Sequence, residues 1–246
     1  MTPALVVEGL EYAYPDGRRA LAGIDLRVDP GERVAVLGPN GAGKTTFVLH
    51  LVGVLAGGRG TVEVSGLPVH RGTVREVRRR VGVVFQDPDD QLFMPTVGED
   101  VAFGPRNFGV TGPELDRRVR DALAAVGMAE HAARSPLHLS AGQRRRVALA
   151  TVLACDPEIL VLDEPSANLE PAAQRELAEV LLSLDKTMLM VSHDLPYALR
   201  LCPRGVLLDG GRVVADRPTR ELLADGELLA AHRLELPWGF HLEPVH

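Results

Sequence analysis

A glycine-rich segment, GPNGAGKTT at residues 38–46, carries the residue types that bind phosphate groups. It has the pattern G-x-x-x-x-G-K-[ST], and it lies between the apolar runs VAVL and FVLHLV, which predict a strand and a helix. Glycines let backbone N–H groups close around phosphate oxygens, and the start of a helix adds a favourable dipole. The segment therefore predicts a nucleoside triphosphate site. An ordinary glycine turn before a helix is the less favoured alternative.

Two side chains of this segment have expected roles of their own. Lys44 would place its charge against the β- and γ-phosphates, and the hydroxyl of Thr45 would bind Mg²⁺. The residues that we expect to surround the nucleotide here are Gly38, Pro39, Asn40, Gly41, Ala42, Gly43, Lys44, Thr45 and Thr46.

Polar residues also end two other apolar runs. ILVLDE, at residues 159–164, closes on two acids, and charge there is costly without a purpose. We expect Asp163 to hold Mg²⁺ and Glu164 to polarise a water molecule. TMLMVSH closes on His193, which can hydrogen-bond a γ-phosphate. The alternatives are an acid pair that only caps a turn and a histidine that is structural.

A second helix start is predicted in HLSAGQRRRVALA, at residues 138–150. Ser140 and Gln143 have the spacing of a capping box, and the free N–H groups near Gly142 would form a second anion site. Because one loop already surrounds the nucleotide, this site is best used by another subunit. That predicts a dimer with ATP at its interface. The alternative is an ordinary capped helix whose arginines form a solvated face.

The totals exclude several classes. The chain has 246 residues, 46% of them hydrophobic, and a net charge of −6, which gives no argument for nucleic-acid binding. Its two cysteines, Cys155 and Cys202, form no C-x-x-C pair and suit buried positions in a reducing cytoplasm. No signal peptide and no apolar run of about 18 residues is visible. We therefore expect a soluble chain whose membrane role, if any, comes through a partner.

The pattern along the chain predicts an α/β fold. Short β-patterned runs fill the first third, and helical signals dominate from Thr96 to Leu153. Apolar strands then alternate with amphipathic helices, which favours a buried parallel sheet. In ELDRRVRDALAAVG the apolar spacing predicts a helix that Gly127 stops, and GVLLDGGRVVA predicts a hairpin with an Asp-Gly turn.

Together these motifs resemble the ATP-binding subunits of ABC transporters, over about residues 4–220. Tyr14 resembles the aromatic residue that stacks on adenine, and Gln86 resembles the Q-loop glutamine. Residues 139–143 are similar to the LSGGQ signature, with Ala141 where glycine is usual. Residues 166–170 resemble the D-loop, with Glu170 where aspartate is usual, and His193 resembles the switch histidine.

The resemblance implies a P-loop NTPase (RecA-like) core, an N-terminal antiparallel β subdomain and an α-helical signature subdomain at about 87–153. The ATPase domain would cover residues 1–224, and residues 225–246 would form a short tail. It also implies ATP and Mg²⁺ as cofactors. Glu164, His193, Lys44 and Gln86 would serve catalysis, with Thr45, Gln86 and Asp163 at the metal. The partner subunit would contribute its Ser140, Gly142 and Gln143.

The segment VGVVFQDPDDQLFMPTVGEDVAFGPRNFGV, at residues 81–110, resembles the ATPases of energy-coupling-factor importers, including the cobalt and nickel type. The resemblance implies a groove for a coupling helix of a transmembrane scaffold protein. Three apolar residues would anchor that helix and three acids would pair with its arginines: Leu92, Phe93 and Met94, and Asp87, Asp89 and Asp90. In the alternative interpretation, the apolar residues fill the domain's own core and the acids stay in water.

Other functions stay open at this stage. An exporter ATPase is normally fused to membrane helices, and a soluble ABC ATPase of the DNA-repair or translation type remains the main alternative. The cargo could be cobalt, nickel or a vitamin recognised by a separate membrane component, and the two ATPases could be identical or different. The expected location is the cytoplasmic face of the membrane, as a peripheral subunit.

Overall fold

The structure is a computed structural model that describes residues 2–240 and 242. Its strands are β1 Leu5–Ala13, β2 Arg19–Val28, β3 Arg33–Leu37, β4 Arg59–Val64, β5 Leu67–Pro68, β6 Val81–Val84, β7 Ile159–Asp163, β8 Thr187–Ser192, β9 Arg204–Asp209 and β10 Arg212–Pro218. Its α-helices are α1 Lys44–Leu51, α2 Val74–Arg80, α3 Val97–Asn107, α4 Gly112–Ala125, α5 Ala141–Leu153, α6 Pro171–Ser183, α7 Leu195–Leu201, α8 Thr219–Ala224 and α9 Gly226–Ala231. Short 3₁₀ turns cover Pro88–Asp90, Ala129–His131 and Pro136–His138.

The chain divides into two compact units, the first made of residues 1–77 and 186–246. It contains an antiparallel sheet of order β2-β1-β4-β5. Strand β1 buries Leu5 and Val7 while Val6 and Glu8 are more exposed, which is the alternation of a strand with one face in the core. The strands predicted in the first third of the sequence are therefore present.

A second group of strands in the first unit has the order β10-β9-β3-β8. Strand β3 runs parallel to both β8 and β9, and Leu37 pairs with Ser192 at the end of β8. All six residues of β8 are buried, as the continuous apolar run TMLMVS predicts for a strand covered on both faces. Because β3 and β8 end together, the loops that follow them begin at the same edge.

The hairpin of β9 and β10 differs from its prediction in the turn. Asp209 still belongs to the ladder, where it pairs with Arg212, so the expected Asp-Gly turn was wrong. Gly210 and Gly211 fill the two turn positions with φ of 54° and 74°. A two-residue turn with positive φ at both positions favours glycine. The pairing of the two strands therefore places the turn at Gly210 and Gly211 instead of at Asp209 and Gly210.

The second unit comprises residues 78–185 and contains the parallel pair β6 and β7, with Val84 opposite Leu162. Between residues 85 and 158 every regular element is helical. Helix α4 buries Leu115 and Leu123 at the predicted spacing, and Gly127 follows its end with φ of 66°, as expected for a stop.

The segment predicted as a tail begins with helix α9. Asp225 caps this helix, accepting from the N–H of Leu228 at 3.0 Å, and Leu229 is buried. His232 lies with Nδ1 2.9 Å from Asp209 Oδ2, and this contact lowers the pKa of the aspartate. Residues 241 and 243–246 lie outside the part of the chain that the structure describes.

Both cysteines are free thiols. Cys202 is buried and Cys155 is half-buried, and burial raises their pKa values to about 12 and about 11. Both were predicted to be buried packing residues, which holds for Cys202, whereas Cys155 is only half-buried. A thiol with a raised pKa carries little thiolate. Among residues 2–240 and 242, no helix is both long enough and apolar enough to cross a bilayer.

Candidate nucleotide site

The glycine-rich segment forms a loop between β3 and α1, as predicted. Two of its glycines are required by close packing within the first unit. A Cβ on Gly38 would lie 2.1 Å from the carbonyl oxygen of Leu208, and one on Gly43 would lie 2.5 Å from that of Ala20. Gly43 is also the N-cap of α1, where no side chain caps the helix. The start of α1 thus has the form of an anion site.

Lys44 is the first residue of α1 and is only 8% exposed. Its Nζ donates to the carbonyl oxygens of Gly38 at 2.7 Å and Pro39 at 3.1 Å, so the loop wraps around the ammonium group. Thr45, the next residue, is exposed. The ammonium group is thus held by backbone carbonyl groups of the loop at the helix start. A positive charge at this position suits the binding of a polyphosphate.

Tyr14 is held beside this helix. Its hydroxyl lies 2.9 Å from the hydroxyl of Thr46, and the guanidinium of Arg18 lies 4.7 Å from the centre of its ring. Tyr12 makes an edge contact with the Tyr14 ring at 5.2 Å and with the His50 ring at 4.7 Å. The aromatic residue expected to stack on a base is therefore fixed by its hydroxyl to the first turn of α1, directly after the phosphate loop.

His193 directly follows β8 and is exposed. Since β8 ends opposite the end of β3, His193 and Gly38 emerge at the same edge of the first unit. Asp194 then caps α7, accepting from the N–H of Tyr197 at 3.0 Å, while its own N–H donates to Ser192 Oγ. These bonds fix the backbone on the helix side of the histidine.

In the second unit, the acidic residues stand at the end of β7. Asp163 and Glu164 are 5% and 7% exposed. Glu164 has φ of 47°, in the left-handed region that a residue with a side chain adopts at a cost of about 1–3 kcal/mol. Gln86 follows β6, which pairs with β7 in parallel, so Gln86 and the two acids leave the same end of this strand pair.

Residues 166–170 form a tight segment before α6. The amide of Gln174 donates to the carbonyl oxygens of Ser166 and Leu169, both at 3.2 Å. Arg145, from α5, donates to the carbonyl oxygen of Ala167 at 3.3 Å and to that of Phe85 at 2.8 Å. One buried guanidinium thus joins this segment to the residue that precedes Gln86.

The predicted capping box at the start of α5 is present. Ser140 Oγ accepts from the N–H of Gln143 at 3.2 Å, and Gln143 Oε1 accepts from the N–H of Ser140 at 3.0 Å. Within the part of the chain that the structure describes, the N–H groups of Ala141 and Gly142 have no acceptor. Ser140 and Ala141 are exposed. The helix start therefore offers free donors at the surface.

The two central residues of this motif have different constraints. A Cβ on Gly142 would lie 2.8 Å from the Cβ of Ala173 in α6, so packing requires glycine there. Ala141 is exposed, and the helix forms with its methyl group in place. The departure from the usual glycine is thus accommodated in the structure.

The arginine run at residues 144–146 is not simply a solvated face. Arg145 is 2% exposed, which corrects that interpretation for this residue. Arg144 pairs with Asp89 at 2.8 Å, and Arg146 pairs with Glu176 at 3.1 Å. Because all three residues of the run are arginines, the sequence alone does not indicate which side chain points inward.

The segment after Gln86 divides between core and surface. Leu92 is buried, so for this residue the core-filling interpretation was right, whereas Phe93 is 60% exposed. The Phe93 ring makes an edge contact with Phe103 at 4.9 Å. Buried Asp100 accepts from the N–H groups of Phe93 and Met94, each at 3.0 Å, which fixes the loop that presents the ring.

The acids of this segment also differ from one another. Asp87 caps the 3₁₀ turn Pro88–Asp90 by accepting from the N–H of Asp89 at 2.9 Å. Asp89 forms an ion pair with Arg144, and Asp90 is exposed. Gln91 turns inward, where its Nε2 donates to the carbonyl oxygen of Ala148 and the hydroxyl of Thr151. The inward orientation of Gln91 was not predicted, because a glutamine beside three aspartates is typical of an exposed segment.

The predicted site residues therefore form two sets. Tyr14, the phosphate loop and His193 lie together in the first unit. Gln86, Asp163, Glu164 and residues 140–143 lie in the second.

Comparison with known proteins identifies the family. The ABC transporter family matches residues 21–167. An ABC transporter ATP-binding protein of Streptomyces avermitilis is 67% identical over 97% of this chain and 91% of its own length. An energy-coupling factor transporter ATP-binding protein, EcfA, of Methanothermobacter thermautotrophicus is 45% identical over 93% of this chain and 75% of its own length.

Solved structures agree. CbiO1 of Clostridium perfringens, described as part of an ABC transporter complex, superposes with a TM-score of 0.84 at 35% identity, covering 96% of this chain and 97% of that one. An ATP-binding cassette in a dimeric post-hydrolysis state, bound to ADP and Pi, gives 0.77 at 26% identity, covering 87% and 98%. The predicted α/β fold of a P-loop NTPase is confirmed. The chain belongs to the ABC transporter family, as an ATP-binding subunit and ATPase similar to those of the energy-coupling-factor type.

Proposed function

We propose that this chain hydrolyses ATP to drive an energy-coupling-factor importer, as a peripheral subunit on the cytoplasmic face of the membrane. The observation that carries the proposal is the exposed start of α5. Ser140 and the free N–H groups of Ala141 and Gly142 form a second phosphate-binding helix start in a chain that already has one at α1. The similarity to EcfA and CbiO1 over nearly the whole chain supports the importer type.

In this proposal the active form is a dimer of cassettes. Each phosphate loop holds an ATP, and the start of α5 from the partner subunit donates to the γ-phosphate. The adenine stacks on Tyr14, whose hydroxyl contact with Thr46 keeps the ring beside the loop. The partner can be a second copy or a related chain.

The hydrolytic step is an in-line attack of water on the γ-phosphorus. The bond from that phosphorus to the bridging oxygen breaks, and ADP and phosphate leave. Glu164 orients the water and accepts its proton, while Lys44, His193 and the partner's helix start stabilise charge on the γ-phosphoryl oxygens. The left-handed backbone of Glu164 supports this role, because backbone strain is concentrated at functional positions.

The residues expected at the metal fit Mg²⁺. Thr45 offers a hydroxyl, Gln86 an amide oxygen and Asp163 a carboxylate, and hard oxygen donors are the ligands that Mg²⁺ prefers. When bound, the ion neutralises charge on the β- and γ-phosphates. Gln86 would thereby register whether a γ-phosphate is present.

The surface after Gln86 is the proposed contact with a transmembrane scaffold. Phe93 and Phe103 provide an exposed aromatic pair, and Asp90 lies three residues before Phe93. A partner helix with apolar and basic residues suits this surface. A separate membrane component would recognise the cargo, which we propose to be cobalt, nickel or a vitamin.

Recovery of the tagged chain from detergent-solubilised membranes tests the importer assignment. We expect a small multispanning scaffold protein to co-purify in a fixed ratio and to increase the ATPase rate. Recovery in soluble complexes with DNA or ribosomes, and none with membrane protein, would support the non-transport alternative instead. Uptake of radioactive cobalt, nickel, biotin and riboflavin by cells with and without the gene then distinguishes the cargoes.

A further inference from the structure

His131 contacts the signature motif although it lies outside it. It ends the 3₁₀ turn Ala129–His131, and its Nε2 lies 3.1 Å from Nε2 of Gln143. The oxygen of the same Gln143 amide accepts from the N–H of Ser140. The histidine and the capping box thus hold opposite sides of one amide group.

This geometry decides which atom donates. In the amide orientation that the capping box requires, the NH₂ group of Gln143 faces His131 and donates, and Nε2 of His131 accepts. The ring proton then lies on Nδ1, which is buried and has no acceptor among the residues that the structure describes. A reversed amide would turn its NH₂ group toward the N–H of Ser140, where both groups are donors. His131 therefore favours the amide orientation that the capping box needs.

The loop that carries His131 is itself attached to α3. The carbonyl oxygen of Ala132 accepts from the N–H of Gly98 at 2.8 Å, and that of Arg134 accepts from the N–H of Val97 at 2.9 Å. These bonds satisfy two donors at the start of α3. The N–H of His131 donates to the carbonyl oxygen of Met128 at 3.0 Å. The ring is thus presented to Gln143 by a backbone that is fixed on both sides.

We propose that His131 is a positioning residue for the start of α5. By accepting from the Gln143 amide, it keeps the Gln143 oxygen on the N–H of Ser140 and so fixes the Ser140 hydroxyl and the free N–H groups of Ala141 and Gly142. The ligand that these groups would meet is the triphosphate bound by a partner subunit. The inference rests on the proposed function, in which α5 acts on the partner's ATP.

The test uses dimerisation driven by ATP in the Glu164→Gln background, followed by analytical ultracentrifugation across an ATP titration. His131→Phe removes the acceptor and keeps a ring, whereas His131→Gln can place an amide oxygen near the position of Nε2. We expect His131→Phe to raise the ATP concentration for half-dimerisation about threefold to tenfold, the scale of one lost hydrogen bond. His131→Gln should restore it to within about twofold.

Two further measurements separate positioning from folding. Binding of a fluorescent ATP analogue to the dilute, monomeric protein reports the phosphate loop alone, and it should be equal in all three proteins. Without the Glu164 substitution, His131→Phe should raise the KM for ATP, and His131→Gln should restore it. If His131→Phe does not fold, His131→Ala takes its place with the same expectation.

The outcomes distinguish the inference from its premise. If the Glu164→Gln protein dimerises with ATP neither by itself nor with a related cassette chain that co-purifies with it, the proposed function fails and the inference with it. If that protein dimerises and His131→Phe leaves the titration unchanged, the function stands and the role of His131 is overturned. A His131→Gln protein as impaired as His131→Phe would also overturn it, because the contact would then be packing alone.

Discussion

Arg144 Nη1 lies 2.8 Å from Asp89 Oδ1, and this ion pair joins the segment after Gln86 to the first turn of α5. Asp89 is thus bound within its own unit rather than waiting for an arginine of a partner. The pair is partly exposed, with 61% of the Asp89 side chain accessible, so its own contribution to stability is below about 1 kcal/mol. The ion pair therefore affects which aspartate of this segment remains available to bind a partner protein.

We expect Asp90 and Phe93, rather than Asp89, to attach the chain to its membrane partner. The double substitution Asp90→Asn and Phe93→Ala should reduce co-purification with the scaffold about tenfold or more, since truncating an exposed aromatic anchor costs about 1–3 kcal/mol of binding. Basal ATPase of the isolated subunit should be unchanged. Asp89→Asn is the matched control and should be recovered with membranes as wild type is. The reverse order of effects would contradict the proposed surface.

Two substitutions of Tyr14 can separate the stacking of its ring on adenine from the contact of its hydroxyl with Thr46. Tyr14→Phe loses the hydroxyl contact with Thr46 but keeps the ring, so ATP affinity should fall by less than about tenfold. Tyr14→Ala loses the ring as well, and stacking of a base on an aromatic side chain contributes about 1–3 kcal/mol. Equilibrium binding of a fluorescent ATP analogue measures both. Equal affinity of Tyr14→Ala and wild type would show that this ring does not contact the base.

We expect two glycines of the phosphate loop to differ in how much stability is lost when each is replaced by alanine. Gly38→Ala would drive a Cβ to 2.1 Å from the Leu208 carbonyl oxygen, so we expect loss of about 3 kcal/mol or more in the free energy of unfolding. Gly41 has positive φ, but no heavy atom lies within 4 Å of the point that a Cβ would occupy, and Gly41→Ala should cost about 1–2 kcal/mol. Urea denaturation of both variants checks the difference. Equal costs would mean that the close approach at Gly38 is relieved by backbone movement.

Asp100 predicts a dependence of stability on pH. Burial raises the pKa of its carboxyl above the ordinary value, against the lowering effect of the N–H donors of Phe93 and Met94. The folded chain therefore binds this proton more tightly than the unfolded chain, and the contribution of Asp100 to stability falls as pH rises through its folded pKa. Asp100→Asn keeps an acceptor and does not titrate, so its stability relative to wild type should improve above about pH 4.

Asp100→Ala is the control for the hydrogen bonds themselves. It leaves the N–H groups of Phe93 and Met94 without this acceptor, which should cost about 1–3 kcal/mol at every pH. Urea denaturation from pH 4 to pH 8 measures all three proteins. A constant difference between Asp100→Asn and wild type over that range would contradict the raised pKa.

The features that the sequence predicted correctly are local ones. The capping box of Ser140 and Gln143 depends on two residues three positions apart, and the strand, loop and helix around Lys44 depend on a contiguous pattern. Such signals survive folding because the partners are neighbours in the chain. The buried strands β7 and β8 were likewise evident from their unbroken apolar runs.

The features that it missed depend on distant partners. Nothing in the arginine run shows that Arg145 turns inward to the carbonyl oxygens of Phe85 and Ala167, 60 and 22 residues away. The contact of His131 with Gln143 spans a break between two helical segments. The left-handed backbone of Glu164 is also invisible to residue type, because glutamate rarely adopts it.

The most direct test of the proposed hydrolysis is ATP turnover by the Glu164→Gln protein. The substitution keeps the size of the side chain and removes its ability to accept a proton from water. We expect ATP binding within about twofold of wild type and a fall in kcat of about 100-fold or more, measured by phosphate release at saturating ATP. Turnover close to wild type would contradict the assignment of Glu164 and, with it, the proposed hydrolytic site.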